Sequence, residues 1–273
     1  MKIFFSFILI TSFAQAFTLN NNFGGAFKTK KVKVSIAGNT TCNNIGLTIY
    51  DLEELIAPAV NNFWNEVPTS SLRLKPSGFT DSISNINAGR LCAPTDDGCI
   101  SGGGGNVIPA VDGIVIACNS LSYNFNGANV IAVTIPNNFS GKKIKGAVIL
   151  INNVVGSTAF SNLSHDDKIA VIAHEIGHAI GLGHAKNSNK EALMYYKTVN
   201  LRKNLAQDDV DGVSYLYPVT MDGCGLFTAT IKNKSDDDQK GPPFWPMGLM
   251  LLTLIALFEI RKIFRLSKNP QQA

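Results

Sequence analysis

The chain has 273 residues, of which 45% are hydrophobic and 16% are charged. It is long enough to bury a core, and its composition excludes a disordered protein. The net charge is only +4, and much of the positive excess sits in two short clusters, residues 28–33 and 261–268. Because these clusters form no stripe spaced for phosphates, nucleic acid is not an expected partner.

The first residues, MKIFFSFILITSFAQAF, have the pattern of a secretory signal. Lys2 precedes an apolar run at residues 3–13, and Ala14-Gln15-Ala16 is a small-x-small cleavage site. We therefore expect residues 1–16 to be a signal peptide cut after Ala16. The alternative is a buried N-terminal strand or helix, which accounts less well for the cleavage site.

Export permits disulfides, and all five cysteines lie in the expected mature chain. Five thiols allow at most two internal bridges. Cys92 and Cys99 flank the short loop APTDDG and are the easiest pair to close, and Cys42 with Cys118 follows by elimination. Cys224 is then the odd cysteine, beyond the last segment that has the pattern of a folded core.

The pattern of apolar residues predicts strands and helices in a mixed order. KVKVSI (31–36) and SLRLKP (71–76) alternate as strands, and residues 51–66 between them have apolar residues, with Trp64 beside them, at helical spacing. Residues 77–106 have little periodicity and are predicted to be a loop. Three apolar strands follow, at 113–118, 130–136 and 145–153. This order predicts an α/β (α+β) fold with a mixed sheet.

A second long helix is predicted to begin at Ser164, an N-cap followed by two carboxylates. It contains the stretch HEIGHAIGLGH, residues 174–184. Residues four apart on a helix share one face, so His174 and His178 can reach the same ion. His184 would lie about 15 Å further along if the helix continued. Gly181 is placed to end the helix, so that the chain can return His184 to the first two histidines.

Three neutral imidazoles that leave a fourth position open are typical of catalytic Zn²⁺. Zinc lowers the pKa of a bound water and polarises a carbonyl, and Glu175, one step round the helix, is predicted to take the proton of that water and pass it to the leaving amine. The alternative is that the three histidines are satisfied core residues, which explains neither the intervening glycine nor the glutamate. His165, outside the motif, is predicted to be a first-turn surface residue.

This stretch, followed by ALMYY (192–196) and LAQDDVDGVSYLYP (205–218), resembles the matrixins, within the metzincin clan of metallopeptidases. The resemblance implies a metzincin-like twisted sheet with two long helices and a C-terminal helix. It also implies that His174, His178 and His184 bind zinc, that Glu175 is the catalytic base and that Met194 is an apolar floor under the metal. Substrate is expected to bind extended along an edge strand, residues 146–153.

The sequence departs from animal matrixins in three respects. Only His165 is left for a second, structural zinc, so that site is not expected. No cysteine motif of a latency propeptide is present before the first strand. Tyr196 occupies a position where matrixins usually have proline, whereas other metzincins have a tyrosine there that can approach the metal. A zinc-proximal Tyr196 and a packed surface aromatic are the two interpretations. The short form resembles secreted matrixin-like proteases of bacteria.

The C-terminal part changes character after the expected catalytic domain, residues 17–220. Residues 221–243 are polar and aperiodic, as in a linker. Residues 244–260 are long enough for a short transmembrane helix, and the basic residues 261–273 predict a cytoplasmic tail. We expect an exported protein anchored to a membrane and facing the periplasm or cell exterior, with release if the tail is a sorting signal cut near 222–225.

The leading hypothesis is therefore a zinc-dependent endopeptidase that hydrolyses extracytoplasmic proteins or peptides. Its alternative is a catalytically inactive metzincin-fold module that binds proteins while tethered to the membrane. A membrane-tethered envelope protein with a structural metal is a third hypothesis, which the open fourth position of the metal disfavours.

Overall fold

A computed structural model describes residues 17–20, 25–81, 83–92, 106–127, 129–197 and 202–219. All of these belong to one compact unit, Met1–Asp222, and a second unit spans Gly223–Ala273. The expected signal peptide, transmembrane helix and basic tail lie outside the described residues, as does Cys224. Within the part of the chain that is described, no helix is long and apolar enough to cross a membrane.

The centre of the unit is a six-stranded sheet. It is mixed, as the sequence predicted, and contains the five predicted strands and one more, Ala26–Phe27. Its strands are β1 (Ala26–Phe27), β2 (Lys31–Ala37), β3 (Arg73–Thr80), β4 (Gly113–Asn119), β5 (Ala132–Ser140) and β6 (Lys143–Asn152). They lie in the order β1-β6-β4-β2-β3, and β5 pairs with β6. The β5–β6 pair is antiparallel and all other pairs are parallel. β3 continues to Thr80, so the predicted loop begins later than residue 77.

The expectation that residues 146–153 form an edge strand is wrong. β6 is an interior strand, because β4 pairs along one of its sides and β5 along the other. Residues 147–151 are fully buried on both faces of the sheet, and such continuous apolar runs are typical of interior strands. β5 has only β6 as a partner among the described residues. It contains Pro136, which cannot donate a backbone hydrogen bond and is tolerated at sheet edges.

Among the described residues, three α-helices accompany the sheet: α1 (Ile49–Asn61), α2 (His165–Ala179) and α3 (Gln207–Leu216). α1 begins two residues before the prediction because Thr48 and Asp51 form a reciprocal capping box. It ends at Asn61, and Trp64–Glu66 form a separate 3-10 turn. α2 begins as predicted, with the Ser164 hydroxyl accepting the backbone N–H of Asp167 at 3.1 Å.

The two faces of the sheet bury separate cores. α1 and α2 pack against one face together with β2, β3, β4 and β6. The opposite face buries a smaller cluster with residues from the segment 83–111. The predicted disulfide Cys42–Cys118 is confirmed and joins the loop before α1 to β4. Cys92 is also disulfide-bonded, and its predicted partner Cys99 lies outside the described residues.

Candidate metal centre

Helix α2 and the turn after it bring three histidines to one point. His174 and His178 lie one turn apart on α2, which ends at Ala179. Gly181 then adopts a φ of 110°, a conformation that favours glycine and reverses the chain toward His184. The Nε2 atoms of His178 and His184 are 3.1 Å apart. One ring nitrogen from each histidine lies within 4.8 Å of the other two.

Backbone carbonyls orient two of these rings. His174 Nδ1 lies 2.7 Å from the oxygen of Leu193, and His178 Nδ1 lies 2.9 Å from that of Leu182. A carbonyl oxygen only accepts, so each Nδ1 carries the proton and each Nε2 presents its lone pair. The lone pair of His178 Nε2 thus faces His184 Nε2 across 3.1 Å, an arrangement in which both nitrogens can donate to one cation. The donor set therefore fits Zn²⁺, whose histidine ligands commonly donate their other N–H in this way.

The surroundings also keep the rings neutral, which a metal ligand must be. Burial, followed by the neighbouring His178, lowers the pKa of His174 well below its ordinary value. Burial lowers the pKa of His178 as well. For His184, at the rim of the site, burial and the nearby His178 lower the pKa to about 4. At neutral pH all three imidazoles are available as ligands.

Glu175 lies beside the histidines in the same cleft and is only 7% exposed. Burial raises the pKa of its carboxyl to about 7, and a hydrogen bond from Thr134 opposes the rise. The Thr134 hydroxyl, on edge strand β5, donates to Glu175 Oε2 at 2.5 Å. A carboxyl with a pKa near 7 can both take up and return a proton at neutral pH.

A tight apolar layer lies behind the histidine pair of α2. Gly177 is packed so closely that an added Cβ would collide with the sulfur of Met194 and the ring of Trp64. Met194 is 2% exposed. The Trp64 indole N–H donates to the backbone oxygen of Ala173 at 2.9 Å. A side chain at position 177 would push α2, and with it two histidines, away from this layer.

Helix α3 is tied to the same region by a buried carboxylate. Asp209 accepts the backbone N–H groups of Leu193 at 2.7 Å, Met194 at 3.1 Å and Ala206 at 2.9 Å. Leu193 in turn places its carbonyl oxygen against His174. Asp209 thus fixes the backbone that orients one of the three histidines.

The segment at residues 17–20 pairs with the loop that carries His184. Gly183 N–H donates to the oxygen of Thr18, and Asn20 N–H donates to that of Gly181, both at 2.9 Å. The Thr18 hydroxyl also donates to the backbone oxygen of His184. This short antiparallel pairing fixes the loop after α2, which brings His184 to the metal centre.

Two cavities open beside the histidines. The first, about 360 Å³, is lined by Val130, Ile131, Ala132, Val171 and Tyr195 as well as by polar groups. The second, about 650 Å³, runs past β5 and residues 18–20. Both include Glu175 and His184. Together they form a continuous cleft along edge strand β5.

The other candidate residues are placed as follows. Tyr196 lines the first cavity, is 48% exposed, and has its ring centroid 6.2 Å from that of His184. His165 is exposed at the start of α2, as predicted. Thr134, Asp209 and the segment 17–20 were not singled out from the sequence. Their contacts join residues 15 to 166 positions apart, which local patterns do not report.

Comparison with known proteins agrees with this geometry. The sequence profile of the matrixin family matches residues 119–218. Stromelysin-1 of Rattus norvegicus is 41% identical over 95 residues, covering 33% of this chain and 19% of its own. Metalloendoproteinase 1 of Glycine max is 49% identical over 55 residues, covering 19% and 17%. Metalloendoproteinase 2-MMP of Arabidopsis thaliana is 39% identical over 77 residues, covering 28% and 20%.

The chain spans about a fifth of the length of these relatives. The matched region nevertheless contains β5, β6, α2 and α3, and with them the three histidines, Glu175 and Met194. Over residues 119 to 218, the chain is similar to the matrixin metallopeptidases.

Proposed function

We propose that the protein is a zinc-dependent endopeptidase. The observation that carries the proposal is the convergence of three neutral histidine nitrogens within 4.8 Å of one another, with a buried carboxylate in the same cleft. His174, His178 and His184 would hold the ion, which when bound polarises the carbonyl of the scissile bond and acidifies water.

The chain's own residues supply the proton transfers. Glu175 takes the proton of the attacking water and delivers it to the nitrogen of the leaving amine, and its pKa of about 7 suits both steps. Thr134 donates a hydrogen bond to Oε2 of this carboxylate, which orients the group and leaves Oε1 without that contact. Met194 closes the floor, and Tyr196 stands at the rim of the cleft near His184.

We propose that the substrate is an extended polypeptide that pairs with the free edge of β5. An edge strand offers unpaired backbone groups that can bind an added strand. The first cavity has an apolar wall of Val130, Ile131 and Val171 with Lys197 among its other lining residues, which suits a large apolar side chain. The second cavity would receive residues on the other side of the scissile bond.

The proposal places this chemistry outside the cytoplasm. The pattern of residues 1–16 supports export, the disulfide Cys42–Cys118 is typical of a protein in an oxidising compartment, and residues 244–260 have the composition of a membrane anchor. The substrates are then extracytoplasmic proteins or peptides.

The test is cleavage of an unfolded protein such as casein by the full chain, with bound zinc measured in parallel. Wild type is expected to bind one zinc and to cleave. Glu175→Gln should keep the zinc and lose about two to four orders of magnitude in rate. His178→Ala should lose both zinc and activity, whereas the matched control His165→Ala should keep both.

Two outcomes would contradict the proposal. If Glu175→Gln cleaves like wild type, the carboxylate is not the base. If wild type binds zinc but cleaves neither casein nor a mixed peptide library, the inactive binding module becomes the better interpretation.

A further inference from the structure

Nine basic side chains gather at the end of the sheet where its parallel strands begin. They come from the turn between β1 and β2, from the first residues of β2, β3 and β6, and from the turn before β6. All of them are exposed. We call them the basic surface: Lys28, Lys30, Lys31, Lys33, Arg73, Lys75, Lys142, Lys143 and Lys145.

The pairing of the strands sets like charges side by side. Lys31 is in register with Arg73, and Lys33 with Lys75, on adjacent parallel strands. Like charges placed so are destabilising. Within the part of the chain that the structure describes, none of the nine has a carboxylate within ion-pair distance, and the one ion pair lies elsewhere, between Lys203 and Asp166. Ion pairing among the described residues therefore does not explain this arrangement of charge, although Arg73 donates hydrogen bonds to the backbone oxygens of Ser70 and Leu72.

A break in the sheet lies among these lysines. β5 pairs along one whole side of β6, so β1 and β4 follow one another along its other side. β1 ends its pairing at Ile144 and β4 begins at Gly146. A cavity of about 420 Å³ opens at this break. It has buried Phe27, Val32 and Ile144 in its lining, together with Asp112 and four lysines: Lys28, Lys31, Lys33 and Lys145.

The lysines of the basic surface on β2 and β3 lie on the face of the sheet opposite the helix of the metal centre. Val32 and Leu74 point into the core shared with α1 and α2. Lys31, Lys33 and Lys75 alternate with them and therefore project from the opposite face of the sheet. Helix α2, which carries His174 and His178, packs on the face of the sheet opposite these lysines. A partner bound at the basic surface would not cover the cleft.

We propose that the basic surface docks on an anionic phospholipid membrane. Eight of its nine side chains are lysines, which act as point charges rather than as the planar forks of arginine that recognise a defined anion. Phe27, the aromatic side chain in the cavity lining, is buried and offers no platform for stacking bases. A spread of lysine charge around a shallow break fits many monovalent headgroups better than one folded polyanion.

The test is the partitioning of the full chain between buffer and vesicles of phosphatidylcholine, alone or mixed with phosphatidylglycerol. The ratio of the two partition coefficients isolates the contribution of anionic lipid, because residues 244–268 contribute equally in every variant. Each lysine near the surface contributes about fivefold. Lys31→Gln with Lys33→Gln should therefore lower the ratio about 25-fold.

The matched control is Lys186→Gln with Lys190→Gln, which removes the same charge from exposed lysines outside the basic surface and should change the ratio less than about twofold. Lys143→Gln with Lys145→Gln repeats the test on another strand. An equal loss in the control would show that only net charge matters and would overturn the proposal. So would a wild-type ratio near one, or binding to heparin or DNA without binding to anionic vesicles. None of these measurements depends on peptidase activity.

Discussion

The hydroxyl of Thr134 should be a positioning group for the proposed base, and its removal is a sharp test of the site. Thr134→Val keeps the shape and the strand propensity of the side chain but leaves Glu175 Oε2 without the donor that contacts it at 2.5 Å. A hydrogen bond to a charged group contributes about 1.5–3 kcal/mol. If that contribution is lost in the transition state, kcat falls by roughly 10- to 150-fold.

The assay is steady-state cleavage of a fluorogenic peptide at several pH values, with zinc content measured for each variant. KM and bound zinc should stay near wild type, because the Thr134 hydroxyl contacts Glu175 rather than a metal-binding histidine. Thr134→Ser keeps the hydroxyl and should restore most of kcat, which a purely structural role on β5 would not predict.

The pH profile gives the same substitution a second readout. Burial raises the pKa of Glu175 to about 7, and the Thr134 hydrogen bond opposes that rise. A base must be ionised, so activity is lost as the pH falls through this pKa. Without the hydroxyl the pKa rises further, and the loss should begin at higher pH in Thr134→Val than in wild type. A valine variant with wild-type kcat and an unmoved acid limb would refute this reasoning.

Three further predictions concern what holds the metal centre. Chelation should lower the midpoint of thermal unfolding and added zinc should restore it in proportion to the logarithm of its concentration; an unchanged midpoint would exclude a metal bound only by the folded chain. Asp209→Asn should weaken zinc binding about 10- to 100-fold, because it loosens the backbone that orients His174. Competition with a chelator would measure this affinity, and an unchanged value would show that Asp209 does not support the site. Replacing Cys42 and Cys118, 76 positions apart, with serine should cost about 4 kcal/mol in unfolding free energy without changing zinc stoichiometry, as denaturant titration would show.

Local chemistry could be predicted from the sequence because it depends on local spacing. The i, i+4 histidines, the Ser164 cap and the helix-ending Gly181 all lie within one continuous segment, and the structure places them as predicted. The predicted start of helix α1 is two residues too late. The helix begins earlier because Thr48 and Asp51 form a capping box, which the apolar pattern alone does not indicate.

Strand pairing could not be predicted in the same way. The run at 146–153 predicts a strand, and β6 confirms it as far as Asn152. Its apolar residues on both faces indicate an interior position, whereas the edge position was implied only by the resemblance. Pro136 in β5 was the available signal for the true edge. The contact between Thr134 and Glu175 depends on β5 lying beside α2. Because 41 positions separate the two residues, no local pattern predicts it.

The metal centre is therefore a property of the whole unit rather than of helix α2. The helix alone fixes only His174 and His178 relative to each other. The third ligand depends on a loop whose backbone is paired with residues 18–20 through two hydrogen bonds of 2.9 Å, and the orientation of the first depends on Asp209 in the last helix. Because each of these supports comes from a distant part of the chain, a peptide spanning only residues 165–184 should bind zinc far more weakly than the folded unit. Zinc binding should then be lost together with tertiary structure rather than with helix content.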